Sequence, residues 1–356
     1  MRYISTRGEA PAVGFVDAVL GGLAPDGGLY APERWPQIAA DEIAGFASLP
    51  YAEVAARVVG AFAEGEIAAP DLAQMCREAY ATFTHAAVVP LTQLEPGAFV
   101  AELFHGPSLA FKDVAMQLLA RLYDHLLAGQ GRTQTILCAT SGDTGGAAVE
   151  AFRGKKAVKV VALFPEGRIS EVQRRFMTTA TETNVACVAV KGSFDDCQAI
   201  VKAAFQDPSL RQAVDLSGVN SINFARIAAQ AVYYFTTAAA LGAPARPVSF
   251  CVPSGNFGDA FAGYAARQMG LPIRQILVAT NANDILAETF RTGRYARGKV
   301  HPTKDAGLLR VLPDVRPGNR VIASRYAGTE VPVDGKRMRI IDAGAVIAVI
   351  GDAAPV

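Results

Sequence analysis

Thr135-Ile136-Leu137-Cys138-Ala139-Thr140-Ser141-Gly142-Asp143-Thr144-Gly145, with Gly146 to Phe152 behind it, reads as a buried strand, a tight turn and the start of a helix. The run is apolar, of strand length, and ends in small turn-forming residues. The same grammar extends both ways. Upstream, Asp113 to Leu127 is an amphipathic helix stopped by Gly129. Downstream come a strand at Val158 to Pro165, a helix at Ser170 to Thr179, a strand at Val185 to Val190 and a helix at Phe194 to Gln206. Pro247 to Val252, Gly258 to Met269 and Ile273 to Thr280 repeat the alternation. Short apolar strands alternating with helices indicate βαβ units and parallel sheets, so the fold class is α/β. Two sheets are expected. The first hundred residues and the segment after about 215 form one, and roughly 106–212 the other.

The first hundred residues mix loops with helices. Ala24-Pro25-Asp26-Gly27-Gly28-Leu29-Tyr30 is turn chemistry, and helical spacing runs over 51–62 and 70–83. A length of 356 residues implies two domains or one large one. Hydrophobic residues at 51% against 19% charged describe a packed globular chain. A formal net charge of +1 supplies no field to gather nucleic acid or an anionic membrane, so neither is an expected partner. Cys76, Cys138, Cys187, Cys197 and Cys251 are odd in number and contain no C-x-x-C pair. They read as buried free thiols in a reducing cytoplasm. The opening Met1-Arg2-Tyr3-Ile4-Ser5 has no apolar core of a signal peptide. Ile227 to Leu241 is the most apolar helical stretch, too short for a span and interrupted by Gln230, and so reads as a buried core helix.

In α/β folds, ligands sit beyond the carboxyl ends of strands, where glycine-rich loops enter helices. Thr140 to Gly145 and Pro253-Ser254-Gly255-Asn256-Phe257-Gly258 both have that form. Backbone N–H groups and the positive helix end favour an anion at each. Singly, either is also an ordinary tight turn; the matched pair points to two anionic groups. Phe104-His105-Gly106-Pro107-Ser108-Leu109-Ala110-Phe111-Lys112-Asp113 carries a lysine among apolar residues at a helix entrance. Desolvation would lower its ammonium pKa, as an imine-forming lysine requires. Spacing by itself favours a lysine that merely snorkels at a helix start, where Asp113 suits the helix dipole. His105 is a hydrogen-bonding loop histidine or a proton carrier. His85, His125 and His301 show no metal-ligand spacing, so no metal is expected. Asp195-Asp196 suits a first helical turn, and Lys155-Lys156 a solvated loop.

Ser108 to Asp113, Ala139 to Gly145, Asn220-Ser221-Ile222-Asn223-Phe224-Ala225-Arg226 and Pro253 to Gly258 occur in one order, with Asp26-Gly27-Gly28-Leu29-Tyr30 ahead of them. Together they resemble the threonine synthase family over residues 1–302. That family consists of two-domain fold-type II pyridoxal-phosphate enzymes, similar to the tryptophan synthase beta chain. The resemblance implies that Lys112 carries pyridoxal 5'-phosphate as an imine and then moves protons between substrate carbons. Ser254, Gly255, Asn256, Phe257 and Gly258 would hold the cofactor phosphate. Thr140, Ser141, Gly142 and Thr144 would grip the substrate carboxylate, with Asp143 at the cofactor's ring hydroxyl. Asn220, Ser221 and Arg226 would bind the phosphate of O-phospho-L-homoserine, the guanidinium being the natural fork for it. The implied reaction converts that substrate and water to L-threonine and phosphate, in a cytoplasmic monomer or homodimer. A related serine or threonine dehydratase is the alternative chemistry; the phosphate-binding residues speak against it.

The pattern changes after His301-Pro302. Asp314 to Val321, Arg325 to Val331, Asp334-Gly335 and Ile347 to Ile350 read as all-β, with Asp334-Gly335 a hairpin turn. Residues 304–352 resemble the C-terminal half of a GroES-type bacterial co-chaperonin, without the mobile loop that binds a chaperonin. The expected division is an N-terminal region with part of the large domain at 1–105 and a small α/β domain at 106–212. An incomplete large domain at 213–302, carrying the cofactor-phosphate loop, and a β-rich tail at 303–356 complete it. An open half-barrel cannot close a core, and the residue facing the pyridine nitrogen has no counterpart here. A catalytically impaired fusion or truncated chain is therefore a second alternative.

Overall fold

The computed structural model describes residues 1–219, 223–280 and 283–295, and beyond them strands at 310–311, 320–323, 329–333, 336–340 and 346–350. The chain opens with β1 (Tyr3–Ser5), α1 (Phe15–Gly21) and β2 (Tyr30–Pro32), β1 and β2 pairing antiparallel. Asp26 ties the loop between α1 and β2 to this pair. Its carboxylate accepts from Ser5 Oγ at 2.7 Å and from the amides of Gly28, Glu9 and Ala10 at 2.8, 3.1 and 3.0 Å. Then come α2 (Ala40–Gly45), α3 (Tyr51–Ala63), α4 (Ala69–Tyr80) and the hairpin β3 (Leu91–Glu95) with β4 (Ala98–Ala101). In α3, Val54, Ala55, Val58, Val59 and Phe62 recur at helical spacing and are all fully buried.

The next run contains α5 (Asp113–Gly129), β5 (Gln134–Ala139), α6 (Asp143–Phe152), β6 (Val158–Pro165), α7 (Glu171–Thr178), β7 (Val185–Val190), α8 (Phe194–Gln206), α9 (Pro208–Val214) and β8 (Leu216–Ser217). It forms a parallel four-stranded sheet in the order β7-β6-β5-β8. Successive side chains alternate across it. Cys138 and Ala162 meet Val149 of α6 and Met177 of α7, while Ala139 and Leu163 meet Cys197 of α8 on the other face. Ser170 and Ser193 close capping boxes with Gln173 and Asp196, which explains why α7 and α8 begin where the periodicity does.

The remaining elements are α10 (Phe224–Ala240), β9 (Val248–Pro253), α11 (Gly258–Gln268), β10 (Ile273–Thr280) and α12 (Ile285–Thr292). The buried core helix expected near 227–241 is α10, with Ala228, Ala231, Val232 and Phe235 essentially inaccessible. It packs on α3, α5 and α11, and one continuous core joins these helices to the N-terminal region. Among the described residues, no helix is long and apolar enough to cross a membrane. Beyond 295, β11 (Arg310–Val311) pairs antiparallel with β10. β12 (Arg320–Ala323) pairs with β15 (Val346–Ile350), and β13 (Thr329–Val333) with β14 (Lys336–Ile340), both antiparallel. Val333 pairs with Lys336; Asp334-Gly335, read as a hairpin turn, lies outside the described residues.

Some local readings differ from the structure. Helix α6 begins at Asp143, inside the stretch read as turn, because Thr140 Oγ takes up the Gly145 amide. Helix α5 runs through Gly129. Sheet membership differs too. Leu216–Ser217 joins the β5 sheet, and the strands of the first hundred residues form their own two-stranded pairs. Side-chain periodicity reports burial, whereas a strand's neighbour is set by a distant segment.

Candidate functional site

Lys112 stands immediately before α5, placed by a folded loop. The Ser108 amide and Ser108 Oγ both donate to the Asp113 carboxylate, each at 2.7 Å, and wrap residues 106–111 over the first turn of α5. A Cβ on Gly106 would overlap Asp113, so only glycine lets the loop approach so closely. Leu109 takes a left-handed backbone conformation, φ 60°, at the crest. Burial pushes the Asp113 carboxyl up to about 6, against the Ser108 hydrogen bonds.

The Lys112 side chain is 14% exposed, with Nζ 3.4 Å from Asp143 Oδ2 and 4.9 Å from the centre of the Phe111 ring. Burial pushes its ammonium pKa down; Asp143 works against this, and the nearby Arg226 charge adds to it. Nζ is thus a partly desolvated amine in the field of Asp143, Arg226 and Asp113, a setting that suits a proton carrier or a nucleophile.

Thr140 is buried, and its Oγ accepts the amides of Gly142 at 2.9 Å and Gly145 at 2.8 Å. It therefore shapes the loop from within. Ser141 and Asp143 stand at its exposed surface, and Thr144 is half-buried. Asp143 opens α6, and its second carboxylate oxygen accepts from Gln173 Nε2 of α7 at 2.6 Å.

The other glycine-rich loop follows β9. The Ser254 amide continues the sheet by donating to the Ala279 carbonyl at 2.9 Å. Ser254 Oγ is buried with no hydrogen-bond partner among the described residues. Phe257 is left-handed, φ 66°, which turns the chain into α11, and the Gly258 amide donates to Asn256 Oδ1 at 3.2 Å. A Cβ built on Gly255 would meet nothing within 4 Å among the described residues. Beneath the loop, Asp259 accepts from Tyr233 and Tyr234 of α10. Burial pushes the Asp259 carboxyl up, against those hydrogen bonds. The loop is thereby bolted to the helix that also carries Arg226.

Arg226 lies in the first turn of α10 and is 2% exposed. One guanidinium nitrogen donates to the Val219 carbonyl at 3.2 Å, and Nε has no partner among the described residues. Burial pushes its pKa down to about 10, so it remains a cation at neutral pH. A buried cation short of partners is costly, and a dianion such as a phosphate ester would relieve it. Asn223 sets the start of α10: its Oδ1 accepts the Ala225 amide at 3.0 Å, and its Nδ2 donates to the Val19 carbonyl and Tyr123 Oη.

The fold thus brings Lys112, Asp143 and Arg226 into one electrostatic group and ties the 254–258 loop to the same helix as Arg226. Asn220 and Ser221 lie outside the described residues. Sequence reasoning gave no site role to Gln173 or Asp259, nor to Asp113 and Asn223, although the last two stand in the quoted motifs. The pattern Ser170-x-x-Gln173 is a visible cap signature, but the contact of Gln173 with Asp143 carries no local signal.

Residues 2–80 match the family model described as threonine synthase N terminus, and residues 85–340 match that of pyridoxal-phosphate dependent enzymes. The threonine synthase of Haemophilus influenzae is 42% identical over 321 residues, 90% of this chain and 72% of that one. The chain belongs to the threonine synthase family. Its likeness to other threonine synthases is stronger still over a shorter stretch. That of Pseudomonas aeruginosa is 54% identical over 303 residues, covering 85% of this chain and 65% of the relative. The solved structure of the pyridoxal-phosphate-bound threonine synthase from Brucella melitensis superposes with a TM-score of 0.83 at 57% identity, over 85% of this chain and 65% of that one. The chain thus spans about 65% of the length of these two threonine synthases. The two-domain α/β architecture of this enzyme class is shared with the solved threonine synthases.

Proposed function

We propose that this chain converts O-phospho-L-homoserine and water to L-threonine and phosphate, with pyridoxal 5'-phosphate carried on Lys112. The observation that supports this best is the setting of Lys112: a buried amine beside an aspartate and a buried arginine, in a chain of this family. The residues present fit the cofactor. The buried, partnerless Ser254 Oγ and the uncrowded Gly255 lie at the entrance of α11, where a phosphate would find donors. Ser254 to Gly258 would hold that phosphate, and Asp143 would face the ring hydroxyl. When bound, the cofactor supplies a sink for electrons released at the substrate's α and β carbons.

The chain's own residues do the rest. Lys112 Nζ moves protons at the α and β carbons and toward the γ carbon, from which phosphate departs. Water adds its oxygen at the β carbon. Thr140 orders the loop so that Ser141, Gly142 and Thr144 can take the substrate carboxylate. Arg226, with Asn220 and Ser221, takes the substrate phosphate and stabilises it as it leaves. The buried guanidinium is also what favours this substrate over a serine or threonine dehydratase's, which has no phosphate to pair with it.

We also infer the domain division 1–105, 106–212, 213–302 and 303–356, a monomer or homodimer, and a cytoplasmic setting. The antiparallel pairs β12–β15 and β13–β14 support an all-β tail; its likeness to half of a GroES-type co-chaperonin rests on the sequence alone. The family match running to residue 340 favours instead strands native to the enzyme. Failure of the wild-type chain to bind chaperonin rings fits either origin.

The test is an absorbance spectrum of the purified chain mixed with pyridoxal phosphate, before and after borohydride, beside Lys112→Ala. A near-visible band that borohydride fixes to the Lys112 peptide, with phosphate release from O-phospho-L-homoserine and no turnover of L-serine, is the expected result. Turnover of L-serine without release of phosphate from O-phospho-L-homoserine would point to the dehydratase. A spectrum without that band would leave an impaired chain.

A further inference from the structure

We propose that Gln173 is a positioning residue for Lys112, acting through Asp143, and that the capping box of α7 is what aims it. The proposal rests on the assignment of Lys112 as the reactive lysine. Asp143 is half-exposed, its side chain 50% accessible, and an exposed carboxylate 3.4 Å from an amine holds it only loosely. Water and rotation about the side chain would ordinarily scatter such a pair. Here Gln173 Nε2 donates to the other carboxylate oxygen at 2.6 Å and removes that freedom.

The direction of the Gln173 amide is itself determined. Its Oε1 accepts from the Ser170 amide at 3.2 Å and from Ser170 Oγ at 3.0 Å. A backbone N–H can only donate, so the oxygen must face Ser170 and the NH2 group must face Asp143. A carboxylate oxygen, which accepts, is the natural partner for that NH2. The cap that starts α7 is thereby also the brace that aims a charge at Lys112. Gly142 completes the contact. It sits at φ 136°, and a Cβ there would overlap the Gln173 amide, so the loop's glycine leaves room for a side chain from a neighbouring helix. This is an independent constraint on the same contact.

The charged groups facing Lys112 are Asp143 from α6, Arg226 from α10 and Asp113 from its own helix. Asp143 is the one of these that Gln173 touches. If Gln173 only capped α7, its removal would weaken that helix and leave the protonation of Lys112 unchanged. If it aims Asp143, its removal frees the carboxylate and makes the Lys112 ammonium easier to deprotonate.

The experiment uses the full chain without cofactor. Pulses of acetic anhydride across a pH series acylate lysines in proportion to their neutral fraction, and mass spectrometry of the Lys112 peptide reads the midpoint. In Gln173→Ala the midpoint moves to lower pH. Labelling, normalised to its plateau, rises about threefold or more at a pH below the wild-type midpoint, the response to half a pH unit. Asp143→Asn shifts it the same way, and adding Gln173→Ala to Asp143→Asn shifts it no further. A Gln173→Ala profile that overlays the wild type, or a shift that persists in the Asp143→Asn background, overturns the proposal. Should Gln173→Ala not fold, Ser170→Ala, which removes one of the amide's two anchors, is read the same way with a smaller shift expected. A wild-type chain that bound no cofactor would refute the proposed reaction but leave this titration readable.

Discussion

Replacing Asn223 by alanine tests whether the start of α10, and so the placement of Arg226 one turn on, depends on a single buried amide. Asn223 is fully buried. Its Oδ1 caps α10 through the Ala225 amide at 3.0 Å, and loss of such a cap costs roughly 0.5–2 kcal/mol. Its Nδ2 donates to the Val19 carbonyl at 2.7 Å and to Tyr123 Oη at 3.1 Å. Each buried hydrogen bond contributes about 0.5–1.5 kcal/mol net. Both acceptors keep a second partner, since Tyr123 Oη also lies 2.8 Å from the Val19 carbonyl and 3.2 Å from Ser217 Oγ, so the lower half of that range applies to each. The expected loss is therefore about 2–3 kcal/mol. Asn223→Ser restores a cap but not the two donated bonds and should recover about 1 kcal/mol. Trp35 is the chain's one tryptophan and packs 6.5 Å from the Phe224 ring, beside Phe62 and Phe261. Its fluorescence in a urea titration thus reads this core directly. The midpoint should fall by about 1 M in Asn223→Ala and by less in Asn223→Ser. A change under about 0.2 M, or a serine variant no better than alanine, would refute the assignment of the cap as the organising contact.

Asp113 and the cysteines offer further tests. Burial raises the Asp113 carboxyl from 3.8 to about 6, so the folded state binds its proton more tightly than the unfolded chain does. Its contribution is full below about pH 4 and is lost as pH rises through about 6. Asp113→Asn keeps an acceptor for the Ser108 amide and a donor for Ser108 Oγ. Its stability, followed by urea midpoint, should fall less than the wild type's between pH 4 and 6; parallel curves would count against the buried acid. Burial also pushes the thiols of Cys76 and Cys138 up to about 12. Iodoacetamide at pH 8 should leave both unmodified in the folded chain and alkylate them after unfolding; modification of the native protein at either would contradict the packing described here.

The sequence by itself determined much of the fold. Apolar spacing placed helices over 51–62, 113–127, 194–206 and 227–241 and strands over 158–165 and 185–190, within a turn of the observed bounds, and the caps Ser170 and Ser193 stand at two of the starts. These are local properties: a helix face or a strand face is written within one or two turns of chain. The site's glycine-rich loops and Lys112 were legible for the same reason, as short runs in a fixed order. Tertiary structure decided the rest. It drew Leu216–Ser217 into the sheet of β5 and set Gln173 against Asp143. It also buried Asp259 under two tyrosines of another helix. Each of these joins groups separated along the chain, and most join polar atoms whose worth depends on burial and on a partner being present. Hydrophobic periodicity records which side of an element faces inward. Which polar atom waits there for it is settled only when the elements pack.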